Sequence, residues 1–216
     1  MPPTVSLTAR HKMFNGLQQS CRLPEMAAGF ELFLPPQAVR GYRVPALYWL
    51  TDDANQDFVR TGGAQRFAAQ WGMALVTLAD KQAEHLNMLH PLLQQTFPIA
   101  EERSIAGIGN GSDIALRLAL SEHADYAAVS VFSPQGADAA SIKSLPAARK
   151  LPILIDCGSE AQPDYPFWSP QSLTQTARSL GFQVLLKTRQ GYGNNSLMYT
   201  SFIDTHIEFH ADALGL

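Results

Sequence analysis

Apolar residues along this chain fall into short, dense runs separated by stretches with helical spacing. Gly29-Phe30-Glu31-Leu32-Phe33-Leu34 alternates and stops at Pro35-Pro36, the signature of a half-buried strand. Val44 to Leu50 and Met73 to Leu78 are nearly unbroken apolar runs. Ser104-Ile105-Ala106, Tyr126 to Phe132, Ile153 to Asp156 and Phe182 to Leu186 repeat the pattern. Runs this short and continuous read as buried strands. Between them the period changes. Gly63 to Trp71 places Ala64, Phe67 and Ala68 on one helical face, and His85 to Phe97 carries Leu86, Leu89, Leu92 and Leu93 before Pro98. Helices are also predicted from Gly111 to Ser121, from Pro170 to Leu180 with Gly181 as its stop, and from Ser196 to Leu214. The first 35 residues read as β-structure. Strand and helix alternating this often predict an α/β fold: a mostly parallel central sheet with helices on both faces. No repeat, linker or low-complexity stretch divides the chain, so residues 1–216 are expected to form a single domain.

Composition narrows the possible roles. Hydrophobic residues make up 46% and charged residues 16%, which fits a folded chain with a sizeable core. The formal net charge is −3 and no Lys/Arg run occurs, so neither nucleic acid nor an anionic membrane is an expected partner. No run approaches the ~20 apolar residues of a membrane span. The stretch MPPTVSLTARHKMF lacks an apolar core of the signal-peptide kind. The cysteines, Cys21 and Cys157, read as buried thiols in a reducing compartment, and a cytoplasmic location is expected. His206 and His210 are four apart on the last helix, but no H-E-x-x-H pattern accompanies them. No metal or cofactor is expected.

The chemistry should lie at the carboxyl ends of the strands, where open α/β sheets bind ligands. Four loops leave such ends, after Leu50, Ala106, Asp156 and Thr188. The second is distinctive. Gly107-Ile108-Gly109-Asn110-Gly111 joins a strand to a helix with the glycine spacing of a G-x-S-x-G nucleophile elbow. The apex residue, however, is Gly109.

Several further stretches carry a resemblance: Phe33-Leu34-Pro35-Pro36, Pro45-Ala46-Leu47-Tyr48-Trp49-Leu50, Gly63-Ala64-Gln65-Arg66, Ser130-Val131-Phe132-Ser133-Pro134, Leu154-Ile155-Asp156-x-Gly158, Gly191-Tyr192 and Phe202-Ile203-x-x-His206-x-x-Phe209-His210. Together they resemble the S-formylglutathione hydrolase, or esterase D, family of α/β-hydrolases. The resemblance implies an α/β-hydrolase fold and assigns the triad positions. The family's elbow G-H-S-M-G-G puts its serine at Gly109. Its I-D-Q-G-E-A-D segment puts the acid at Ala161, or at Glu160 with a one-residue gap. Its P-G-Y-D-H-S segment puts the histidine at Asn194. The family's oxyanion loop corresponds to Thr51-Asp52-Asp53-Ala54-Asn55, two residues shorter, and two site-building segments shrink to 79–83 and 135–151.

These losses imply a non-catalytic homologue that acts by binding a partner or a small ligand, since triad members work as a unit. The family's habit of forming dimers adds a homodimer, or a hetero-oligomer with an active relative, as candidate assemblies. The alternative is residual carboxylic ester or thioester hydrolysis by relocated groups. Ser112, Cys157 and Asn110 are the candidates for a residual site. Ser112 also reads as a helix-terminus hydroxyl bonded to an open backbone N–H, Ser196 as the cap of the last helix, and Cys157 as a thiol one residue past its strand with no base beside it. The N–H groups of the Gly107–Ser112 turn would suit a small anion.

Overall fold

The computed structural model describes residues 4–26, 28–51, 58–121, 124–134, 150–160 and 169–216; of these, the side chains of Phe58 and Arg60 are left aside. Among the described residues nine strands follow in chain order: β1 Ser6–Met13, β2 Gly16–Arg22, β3 Phe30–Leu34, β4 Val44–Thr51, β5 Ala74–Ala79, β6 Ile99–Ile108, β7 Val129–Phe132, β8 Ile153–Gly158 and β9 Val184–Arg189. They form one sheet in the order β1-β2-β3-β5-β4-β6-β7-β8-β9. β1, β2, β3 and β5 pair antiparallel, and every pairing from β5 through β4 to β9 is parallel. The helices are α1 Pro36–Val39, α2 Phe58–Thr61, α3 Ala64–Trp71, α4 Leu86–Thr96, α5 Asn110–Ala119, α6 Pro170–Ser179 and α7 Ser196–Leu214, with a 3-10 turn at Asp80–His85 before α4.

The unbroken apolar runs have a direct cause. All eight residues of β4 are buried, because successive side chains enter opposite faces and both faces are covered. Tyr48 and Leu50 join a core with Leu89 and Leu93 of α4, Ala115 and Leu116 of α5, and Leu173 of α6. Leu47 and Trp49 join the opposite core with Ala64 and Ala68 of α3 and Met198, Ile203 and Ile207 of α7. The α/β architecture expected from the sequence is thus the one observed. No helix among the described residues is long and apolar enough to cross a membrane.

The boundaries differ from the sequence reading where polarity misleads. β6 begins five residues earlier than Ser104, at the buried Ile99, because the exposed pair Glu101-Glu102 interrupts its apolar signal. β7 begins at Val129, after Tyr126, and β8 runs on to Gly158. Cys157 therefore lies inside β8. Ser196 does not cap α7. Asn195 does, its Oδ1 accepting from the N–H groups of Leu197 at 3.0 Å and Met198 at 3.3 Å.

β1 stands apart at the sheet margin. None of its residues is buried, its pairing with β2 is irregular between Leu7 and Ala9, and Arg10-His11-Lys12 runs through it. Phe14 and Asn15, at φ 47° and 59°, form the tight turn into β2, the left-handed pair that a two-residue hairpin loop requires.

Candidate functional site

The turn after β6 sits at the centre of the carboxyl edge. Its glycines are set by close backbone approach. A Cβ on Gly107 would lie 2.2 Å from the Gly111 carbonyl oxygen, and one on Gly111 would lie 2.5 Å from the Leu50 carbonyl oxygen. β6, α5 and the end of β4 therefore meet backbone to backbone, a contact only glycine allows. Between them Gly109 adopts φ 56° and ψ −127°, a region that L-residues enter only under strain. The Ser112 N–H closes the turn onto the Gly109 carbonyl at 3.0 Å. This is a strand–turn–helix elbow with a glycine at its apex.

The loops after β8 and β9 are stitched to each other beside it. The Asn194 Oδ1 accepts a 2.8 Å hydrogen bond from the Gly158 N–H. Ser159 Oγ accepts from the Gly191 N–H at 3.0 Å, and the Glu160 N–H donates to the Tyr192 carbonyl at 3.0 Å. Gly158 is needed for this closure, since a Cβ there would lie 2.1 Å from the Tyr192 oxygen. Asn194 is thus aimed at the end of β8, and an amide accepts no proton near neutral pH. Glu160 is exposed. Ala161 and the pair Asp52-Asp53 lie outside the described residues.

The residual-site candidates are accounted for separately. Ser112 is fully buried, and its hydroxyl donates to the Phe132 carbonyl at 2.7 Å. The sequence reading has it bond an open backbone N–H at the helix start; the structure shows its hydroxyl turned to the β7 backbone. It ties α5 to β7 instead. Cys157 is buried, and its thiol is pushed up to about 12, chiefly by burial and then by the Asp156 charge, against an opposing hydrogen bond from the Ser133 backbone. Near neutral pH it is a thiol, the unreactive form. Asn110 is the first residue of α5 and exposed. The structure does not bring these three into a joint arrangement with a base. Cys21 and Cys157 are both unbridged and buried, and no group of three or more potential ligands suited to a metal occurs among the described residues.

A model of the putative esterase family matches residues 81–206. The chain belongs to this family. Among solved structures, an S-formylglutathione hydrolase from Agrobacterium tumefaciens superposes with TM-score 0.84 at 18% identity, over 97% of this chain and 100% of that one. An S-formylglutathione hydrolase from Staphylococcus aureus gives TM-score 0.68 at 12% identity, over 98% of each chain. At such identities the likeness establishes a shared fold.

This esterase-family chain also holds a buried polar chain that the sequence reading did not assemble. Ser130 Oγ lies 2.8 Å from both His206 Nδ1 and His210 Nε2. His206 Nε2 lies 3.6 Å from Asp156 Oδ2, and Arg189 grips Asp156 through Nε and Nη2 at 2.6 to 3.0 Å. Arg189 in turn covers the Phe202 ring at 3.6 Å. Burial alone would raise the Asp156 carboxyl, but His206 and Arg189 hold it below its usual value. Burial lowers His206, with Asp156 working against it, and lowers His210 well below the ordinary range. Serine, histidine and aspartate thus line up as in a hydrolase triad. All three are fully buried, and the His206 ring lies against Trp49 and Phe132. A nucleophile must meet its substrate, and the fully buried Ser130 hydroxyl is engaged by two imidazoles. The signals were present: one serine in an apolar strand, two histidines one helical turn apart, and an aspartate at the end of a buried run.

Proposed function

We propose that this member of the esterase family is non-catalytic and acts by binding, with an active relative, another protein or a small ligand at the carboxyl edge as its partner. The observation that carries this reading is Gly109, a residue without a side chain at the apex of an intact elbow. Covalent ester hydrolysis needs an activated oxygen or sulfur nucleophile with a base in reach. Asn194 supplies no base, and its amide is committed to Gly158. A binding role is further supported by two buried hydroxyls at strand ends flanking the turn, Thr51 Oγ1 and Ser133 Oγ, which have no hydrogen-bond partner among the described residues. Buried polar groups are ordinarily satisfied, and a bound group could supply the missing partner.

The competing reading, ester or thioester hydrolysis by relocated groups, draws its support from the retained family fold and the preserved turn. One comparison separates the two. Hydrolysis of S-formylglutathione and of p-nitrophenyl acetate is measured for the purified chain and for Gly109→Ala, with host esterase excluded by a fluorophosphonate probe. Turnover at the uncatalysed rate, with no labelled band, is the expected result. Turnover that co-purifies with the chain and persists in Gly109→Ala would overturn the non-catalytic reading.

A further inference from the structure

The two histidines of α7 share a single hydroxyl, and their protonation is constrained by it. Ser130 can donate to only one of the two rings, so the other must donate to Ser130. Asp156 is held ionised by Arg189, and a carboxylate favours an N–H opposite it. His206 therefore carries its proton on Nε2 and accepts the Ser130 proton at Nδ1. His210 then donates from Nε2 to the Ser130 oxygen. Two buried ring nitrogens are left without a hydrogen-bond partner: His210 Nδ1, and His206 Nε2, which faces the Asp156 carboxylate at 3.6 Å.

This arrangement has no satisfactory place for another proton. On His210 Nδ1 the proton would make a buried cation with no acceptor. On His206 it would force the Ser130 hydroxyl to reverse and donate to His210 Nε2, leaving a bare N–H at His210 Nδ1. The charges acting on the pair are Asp156 of β8 and Arg189 and Lys187 of β9. Asp156 is already bound by Arg189, and Lys187 and Arg189 both oppose a second cation. β7 contributes only the neutral Ser130. α2, α3 and β6 also pack on α7, and among the described side chains none of theirs adds a charge that acts on either ring.

We propose that the Asp156–His206–Ser130–His210 chain is an acid-sensitive latch that seats α7 on the sheet at neutral pH and releases it when the histidines take up protons. α7 follows directly on Asn194, which bonds the end of β8, and Asn195, which caps the helix. Release of the helix would therefore loosen the rim of the candidate site while the rest of the sheet stays formed.

The test is hydrogen exchange on the intact chain at pH 7 and pH 5, corrected for intrinsic rates, with α7 read against α5. A buried neutral histidine that regains a pKa near 6.5 on opening raises the opening constant by about 25-fold between those values. The wild type should show at least that gain in α7, with α7 less protected than α5 at both pH values, and His210→Gln should remove about that factor. The glutamine can still donate to Ser130 but does not titrate. Equal protection of α5 and α7 at pH 5, meaning that α7 opens only with the whole fold, would overturn the latch, as would a His210→Gln protein with the full wild-type response. If that variant does not fold, His206→Gln interrupts the same chain at its other ring. A smaller acid gain than wild type is expected there, and an unchanged gain overturns the proposal.

Discussion

The side chain of Asn194 closes on the backbone of Gly158 at 2.8 Å, joining the loops that follow β8 and β9. Asn194→Ala removes the acceptor and leaves a partly buried N–H unpaired. The expected loss is about 1–2 kcal/mol, or about 2–8 °C in Tm for a domain of this size. Thermal unfolding followed by circular dichroism measures it. No loss would mean that the loops are held by the neighbouring backbone bonds alone.

The three glycines of the elbow should rank by what surrounds them. Gly107→Ala and Gly111→Ala drive a methyl group into backbone at 2.2 and 2.5 Å, costing about 3 kcal/mol or more through overpacking. For Gly109→Ala the backbone strain at φ 56° costs about 1–3 kcal/mol. Urea unfolding of the three variants checks the order. A Gly111→Ala protein as stable as Gly109→Ala would contradict the tight seating of α5 on β4.

Both thiols should be silent in the folded chain. Burial pushes Cys21 and Cys157 each up to about 12. A disulfide-exchange reagent at pH 7.5 should titrate neither over minutes, and both in denaturant. Rapid native labelling of Cys157 would reopen it as a reactive group.

Breaking the Asp156–Arg189 pair should be costly. The carboxylate is fully buried and Arg189 is 17% exposed. Asp156→Asn leaves the guanidinium without its counter-charge, for an expected loss of about 3 kcal/mol, at the lower end for such pairs because some solvent reaches Arg189. Urea unfolding at pH 7 reads it. Stability unchanged within error would show that the pair contributes nothing net.

Global stability should fall in two acid stages. The histidine pKa values are lowered on folding, so the unfolded chain binds more protons below its own value near 6.5. Stability is therefore complete above that pH and declines as pH falls through it. Asp156 is also lowered on folding. Its contribution is present above the ordinary carboxylate value near 3.8 and is lost only as pH falls below that. Unfolding free energies from pH 8 to pH 3 should show both stages, the upper one reduced in His210→Gln.

Much of the fold was legible because both faces of the sheet are covered. Strands such as β4 then appear as unbroken apolar runs, and the helices between them show their stripes. Legibility failed where strands leave that cover, as at Glu101-Glu102 in β6, and where capping depends on one residue's backbone, as with Asn195 in place of Ser196. The elbow was readable because its glycines are close in sequence and each has a steric reason. The Ser130–His206–Asp156 chain was not, because it is assembled from β7, β8 and α7, and only the folded register brings the three together.

The uncovered strand β1 also bears on how copies of this chain behave together. An open sheet margin is a template for further strands, and unguarded margins lead to ribbons and fibres. Here the irregularity between Leu7 and Ala9 disturbs the spacing that an incoming strand would have to match, and Arg10 and Lys12 meet like charge on an identical neighbour. The margin thus selects against its own kind, so concentrated solutions of the folded chain should stay clear of strand-to-strand polymers at near-neutral pH and lose some of that protection as salt screens the charges.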